Sequence, residues 1–385
     1  MRGAAEFALD LLVTNKNGHL VPEWTGPARA LAFTSAADYH SAFSEDWTRM
    51  RRLSDILKAA LVPGLLTVFA HTLCAEHFNI QADDPAMIKQ DDTYYLFCTG
   101  EGISVFSSKD MKKWESRKPV FAEAPAWAAR LYPKSGNTEL APDISLHNGT
   151  YYLYYAVSTP GANNSTIAVA TNRTLQPESP DFKWVDHGPI VESLAGRDMW
   201  NAIYPNLAFG DQGTPWLALG SYWYGIKVAR LNADLTALAQ PEEWSTVAAR
   251  ERYWKLEETD PGNDLSSAVE SPFLFKKNGQ YYLFASWDQC CSGVNSTSKV
   301  VVGRSDKITG PYLDKEGQPM RFGGGSLVVG GNKSWPGVGH NSVYTLEGKD
   351  YLVFQGYDAS DQGRSKLWIQ EIHWDADGWP SADLQ

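Results

Sequence analysis

Val269-Glu270-Ser271-Pro272-Phe273-Leu274-Phe275-Lys276-Lys277-Asn278-Gly279-Gln280-Tyr281-Tyr282-Leu283-Phe284 sets one acid at the head of an apolar run, follows it with an Asn-Gly turn and closes on a second run rich in aromatics. Asn-Gly accepts the positive φ values that a tight hairpin requires, so the stretch reads as two antiparallel strands. The pattern recurs. Asp84-Pro85-Ala86-Met87-Ile88 precedes Thr93-Tyr94-Tyr95-Leu96-Phe97, and Asp143-Ile144-Ser145-Leu146 precedes Thr150-Tyr151-Tyr152-Leu153-Tyr154. Tyr204-Pro205-Asn206-Leu207 precedes Thr214-Pro215-Trp216-Leu217, and His340-Asn341-Ser342-Val343 precedes Asp350-Tyr351-Leu352-Val353-Phe354. A third apolar run follows each hairpin, such as Ile167-Ala168-Val169-Ala170 or Lys299-Val300-Val301-Val302. A strand unit repeated radially is a propeller blade, so the chain is expected to be all-β, a five-bladed β-propeller. The first strand of a blade lines the central channel. Asp84, Asp143, Tyr204, Glu270 and His340 are therefore expected to face one axial pocket.

The composition narrows the function. Of 385 residues, 43% are hydrophobic, enough for a substantial core, and the 15 Trp suit strands and sugar-stacking surfaces. The net charge of -11 argues against nucleic acid and against a polyanionic substrate. Met50-Arg51-Arg52, an apolar run over 56–70 and a small-residue site at Cys74-Ala75 read together as a secretory leader spanning 50–75. That run is short for a membrane anchor. Residues 1–49 then form an extension of unclear status. Residues 76–385 show no linker or composition shift, which implies one secreted, extracellular domain, expected to be a monomer. Without Cys74, the cysteines are Cys98, Cys290 and Cys291, an odd number that leaves at least one thiol free or bridging between molecules. A vicinal Cys290–Cys291 disulfide is open on sequence alone, and no spacing resembles a zinc site.

Two carboxylates facing each other across a pocket can hydrolyse a glycosidic bond, one protonating the leaving oxygen and the other activating water. Asp84 and Glu270 head the first and fourth units. At these positions the chain resembles glycoside hydrolase family 43, most of all its endo-1,5-α-L-arabinanases. The resemblance runs from residue 78 to about 375. It rests on Asp84-Pro85-Ala86-Met87-Ile88, Ala141-Pro142-Asp143-Ile144, Asn201-Ala202-Ile203-Tyr204-Pro205-Asn206-Leu207, Glu270-Ser271-Pro272-Phe273, Cys290-Cys291-Ser292-Gly293-Val294-Asn295-Ser296-Thr297 and Gly339-His340-Asn341-Ser342-Val343. It implies inverting hydrolysis of α-1,5-linked arabinan or arabino-oligosaccharide, with Asp84 as general base and Glu270 as general acid. It also implies a central calcium that His340 helps to hold, largely through water.

The sequence departs from the family pattern twice. Asp83 stands where the family usually has His before the base. Tyr204 stands where the family has a third carboxylate, which orients the general acid and keeps it protonated by like-charge repulsion. A neutral tyrosine cannot repel, so activity is expected to fade toward neutral pH unless Asp83 supplies part of the missing charge. Asp83, Asp143, Asn201, Asn341 and Trp223 are candidate substrate contacts. For Asp143 a blade tie is the competing role, and for Trp223 inter-blade packing; Phe106 and Trp127 are weaker candidates. Two other readings stay open: a non-catalytic or weakly active arabinan-binding propeller, favoured by Tyr204 and Asp83, and an exo-acting arabinofuranosidase or xylosidase of the same fold.

Overall fold

A computed structural model describes residues 12–14, 20–22, 76–159, 161–250 and 268–384. Two units are distinguished, residues 1–71 and 72–385. In the first, β1 (Leu12–Thr14) pairs antiparallel with β2 (Leu20–Pro22). The expected leader over 50–75 and the rest of the N-terminal extension lie outside the described residues.

The second unit is a five-bladed β-propeller. β3 (Glu76–Phe78) comes first in the chain. Blade one follows as β4 (Ala86–Gln90), β5 (Thr93–Cys98), β7 (Ser104–Ser108) and β8 (Glu115–Arg117). A two-residue strand β6 (Gly100–Glu101) crosses to the edge of blade two, which is β9 (Thr138–His147), β10 (Thr150–Ser158), β11 (Ser165–Asn172) and β12 (Val185–Ser193). Blade three is β13 (Asn206–Phe209), β14 (Pro215–Leu219), β15 (Ile226–Arg230) and β16 (Trp244–Ala248). Blade four is β17 (Val269–Lys277), β18 (Gln280–Trp287), β19 (Lys299–Ser305) and β20 (Ser326–Val329). Blade five is β21 (Val338–Leu346), β22 (Lys349–Asp358) and β23 (Arg364–Glu371), completed by β3 against β23. β3 precedes the first hairpin in the chain but does not join it. The register Leu367↔Phe78 gives it to the fifth blade, because ring closure removes the free edge that β23 would otherwise present.

The tandem aromatics follow from this architecture. Both faces of each blade are buried, so successive residues of a strand pack into different neighbours. Tyr281 and Leu283 join the cluster with Trp216 and Val228 of blade three, whereas Tyr282 and Phe284 join Phe354 and Trp368 of blade five. Five such clusters, one per blade interface, form the core among the described residues.

Candidate active site

Each inner strand carries one residue in the left-handed region at its head: Asp84 (φ 53°), Ala141 (49°), Tyr204 (56°), Ser271 (52°) and His340 (54°). A non-glycine residue there costs roughly 1–2 kcal/mol, and the fivefold repetition shows that the architecture imposes it. In β9, β17 and β21 the ladder register shifts across this residue, as a one-residue bulge does. The bulge corrects the expected equivalence of Asp143 and Glu270 with Asp84. The residues at the same level as Asp84 are Ala141 and Ser271, while Glu270 lies one residue before that level and Asp143 two after it. All five left-handed residues line an axial cavity of about 30 Å³.

His340 organises the chemistry. Its side chain is 2% exposed; Nδ1 forms an ion pair with Asp84 Oδ1, and Nε2 lies 3.1 Å from Glu270 Oε1. Burial alone would lower its pKa. The charge and hydrogen bonding of Asp84 and Glu270 outweigh burial and raise it to about 10, so the ring is an imidazolium at neutral pH. Its backbone N–H donates to Ser286 Oγ at 2.8 Å. Asp84 receives a hydrogen bond from Thr99 Oγ1 at its Oδ2, and its own N–H donates to Gln355 Oε1 at 2.7 Å. Thr99 Oγ1 also accepts the Ala141 N–H at 2.7 Å, which ties blade one to blade two beside the carboxylate. Glu270 is buried and accepts from Ser221 Oγ at 2.9 Å. The Tyr204 ring lies 5.1 Å from the His340 ring at 59°. Burial, then the charges of Asp84 and Glu270, push its phenol well above the usual range, so it is neutral.

Asp84, Glu270, Tyr204 and His340 thus meet in one cluster at the hub. Asp143 and Asn341 line the same axial cavity, and the remaining candidates stand outside it. Both oxygens of Asp143 are taken by Asn206 Nδ2 (3.0 Å) and the Leu207 N–H (2.9 Å), and Asn206 Oδ1 in turn accepts the Leu274 N–H (2.8 Å). Asp143 is therefore a tie across blades two, three and four, where substrate contact was the other expectation. Burial raises its pKa to about 6 against those hydrogen bonds. Asn201 is also turned inward, accepting from Ser165 Oγ at 2.6 Å. Trp223 is buried, 8% exposed. Phe106 and Trp127 pack against the blade clusters, and Trp127 Nε1 donates to Asp186. Asp83 is partly exposed; burial raises its pKa, and the charges of Asp84 and His340 act on it in opposite directions.

Thr99, Ser286 and Gln355 went unnoticed in the sequence, yet a signal was present. Each lies four residues after the Tyr of a Tyr-Leu pair: Tyr95, Tyr282 and Tyr351. Ser221, which follows the corresponding strand of blade three and lies five residues after Trp216, escapes that rule.

Asn341 Oδ1 and Nδ2 and Ser271 Oγ are buried without hydrogen-bond partners, and both residues line the axial cavity. Calcium takes 6–8 oxygens. Two unpartnered side-chain oxygens fit such an ion only with its own water around it. The donor atoms of Cys290, Cys291 and His340 also lie within 4.8 Å of one another, but the two sulfurs are joined as a disulfide and supply no thiolate. Among the described residues, Cys98 is a free, buried thiol.

A family model described as glycosyl hydrolases family 43 matches residues 78–380. An extracellular exo-α-(1→5)-L-arabinofuranosidase of Cellvibrio japonicus is 46% identical over 318 residues, covering 83% of this chain and 91% of that one. An extracellular endo-α-(1→5)-L-arabinanase of Bacillus subtilis is 38% identical over 342 residues, covering 87% and 98%. The solved α-L-arabinanase of Cellvibrio cellulosa with arabinohexaose superposes with a TM-score of 0.76 at 47% identity, over 79% of this chain and 96% of that one.

Proposed function

The chain belongs to glycosyl hydrolase family 43, and from that premise we propose that it cleaves α-1,5-linked L-arabinan outside the cell by a single inverting displacement. One observation carries the reading: Asp84 and Glu270 flank the same imidazole at the propeller axis. One ring and two polar contacts separate the carboxylates. That span suits the roughly 6.5–9.5 Å of an inverting pair, which must admit a water, better than the roughly 5–5.5 Å of a retaining pair. Asp84, ionised and held by Thr99 and His340, takes a proton from water as its oxygen attacks the anomeric carbon. Glu270 acts in its protonated form, the form that acid favours, and gives that proton to the departing glycosidic oxygen. The C–O bond to the leaving sugar breaks as the new one forms, and the product carries the opposite anomeric configuration. Tyr204 brings no third negative charge to this cluster, so turnover is expected to favour acidic pH. Calcium would act with its hydration water, Asn341 and Ser271 meeting that water and His340 bordering it; its positive charge would help order the site.

The mode of attack has two readings. The resemblance to the family's endo-1,5-α-L-arabinanases gave an endo expectation, whereas the relative of 46% identity is named an exo enzyme. We take exo attack as the first reading and endo as the second. The products of linear arabinan separate them: short products of one length from the start support exo action, and a ladder of mixed lengths supports endo action. A Glu270→Gln protein serves as control. Binding of arabinan with no Glu270-dependent release would instead establish the non-catalytic propeller that Tyr204 favours.

A further inference from the structure

A second pocket lies on the flank of blade three, away from the axis. It measures about 380 Å³ and is lined by Trp200, Lys227, Glu242, Trp244, Ser245 and Thr246. Trp200 enters from the connection between blades two and three, and Trp244 begins the outermost strand. Their rings sit 5.3 Å apart at 52°, forming an angled aromatic wall. Both rings are anchored in the blade two–three cluster and keep part of their surface open. Around them stand groups of both signs. Trp244 Nε1 donates to Glu242 Oε2 at 2.8 Å, and Lys227 Nζ donates to Thr246 Oγ1 at 2.8 Å. Lys227 is half-buried, and that burial lowers its pKa to about 8. Register places Lys227 opposite Leu219, and Leu219 is level with Pro205, which lines the axial cavity. The pocket therefore shares its level along the strands with the head of the inner strand, two strands further out.

We propose that this pocket is a second carbohydrate-binding site, which holds a segment of the arabinan polymer outside the catalytic centre. The chemistry is that of a neutral sugar. Indole faces stack on the apolar C–H face of a furanose ring, while one cation, one carboxylate and two hydroxyls answer its hydroxyl groups with no excess charge. The volume admits a furanose unit or two. A long polymer held there keeps its remaining units at high local concentration over the same molecule, so the site raises effective affinity for polymer and leaves short substrates untouched. The identity of the polymer rests on the function proposed above; the existence of the site does not.

The test uses the full chain. Retention of linear arabinan is measured by affinity electrophoresis, and turnover is measured on arabinotriose, for the parent, Trp244→Ala and Glu242→Ala. The expected result is a loss of retention of about tenfold in Trp244→Ala, a smaller loss in Glu242→Ala, and arabinotriose turnover within about twofold of the parent. Repeating retention in a Glu270→Gln background removes any contribution from hydrolysis during the run. Because Trp244 also packs on the blade core, melting temperatures accompany each measurement. Glu242 is exposed and makes no core contact, so its variant tests the pocket without that risk. Unchanged retention in both variants overturns the proposal, as does an equal loss on polymer and arabinotriose. If arabinan is hydrolysed but retained independently of Trp244, the second site fails and the catalytic reading stands. If arabinan is retained through Trp244 without being cleaved, the reverse holds.

Discussion

At the scale of single residues, the hub concentrates three carboxylate-sized decisions on one imidazole. Replacing Glu270 by Gln keeps the shape and the Ser221 hydrogen bond but removes the proton to be given away. Turnover should fall by about 10²–10⁴-fold with substrate affinity retained; unchanged turnover would remove Glu270 from the chemistry. Tyr204→Asp tests the departure from the family pattern. A third carboxylate beside this cluster should move the basic limb of the kcat/KM profile upward by about one pH unit, and an unmoved limb would show that the position does not act on the acid. Asp143 offers a stability readout instead. Its folded pKa, raised to about 6, lies above the ordinary 3.8. The folded state therefore holds this proton more tightly than the unfolded chain, and the stability it contributes is full below about pH 4 and lost as pH rises through about 6. Stability measured by denaturant between these limits should decline by about 3 kcal/mol from this group, and the decline should vanish in Asp143→Asn. The candidate pair Asp84 and Glu270 was legible in the sequence because each heads an apolar strand. Ser221, which holds Glu270, was not, because a lone hydroxyl outside the repeated spacing carries no pattern of its own.

At the scale of elements, the inner strands decide which residues reach the axis. The fivefold left-handed residue re-aims the chain just before each strand enters its blade, and Pro85, Pro142, Pro205 and Pro272 follow it in four of the five. Ala141 has the smallest side chain of the five and makes no contact with the carboxylates, so it isolates the backbone cost. Ala141→Gly should be neutral or stabilising by up to about 1 kcal/mol, whereas Ala141→Val should destabilise by about 1–3 kcal/mol, both by thermal or denaturant unfolding. A destabilising glycine would show that the backbone there is not strained. The strands themselves were readable from continuous apolar runs rich in aromatics and from Asn-Gly or Gly turns. Their register at the hub was not. A bulge inserts one residue without altering the apolar pattern on either side, so counting from the strand head misplaced Asp143 and Glu270 by two residues and one.

At the scale of the whole molecule, closure matters most. β3 supplies the last strand of blade five, so the two ends of the propeller are held in one sheet. Removing residues 1–80 should expose the β23 edge and lower the melting temperature by at least about 5 °C, with a tendency to associate; an unchanged melting curve would show that the ring does not depend on this pairing. The sequence by itself determined the class, the number of blades and the residue types at the hub, because burial on both faces of the strands inside each blade writes a repeated aromatic pattern that needs no partner to be read. Only the tertiary structure decided that His340 stands between Asp84 and Glu270, that Asp143 ties blades together, and that Glu76–Phe78 closes the ring. Those facts depend on pairings between residues as many as 293 positions apart, as Ile369 and Glu76 are, and no local pattern records which distant strand will lie alongside.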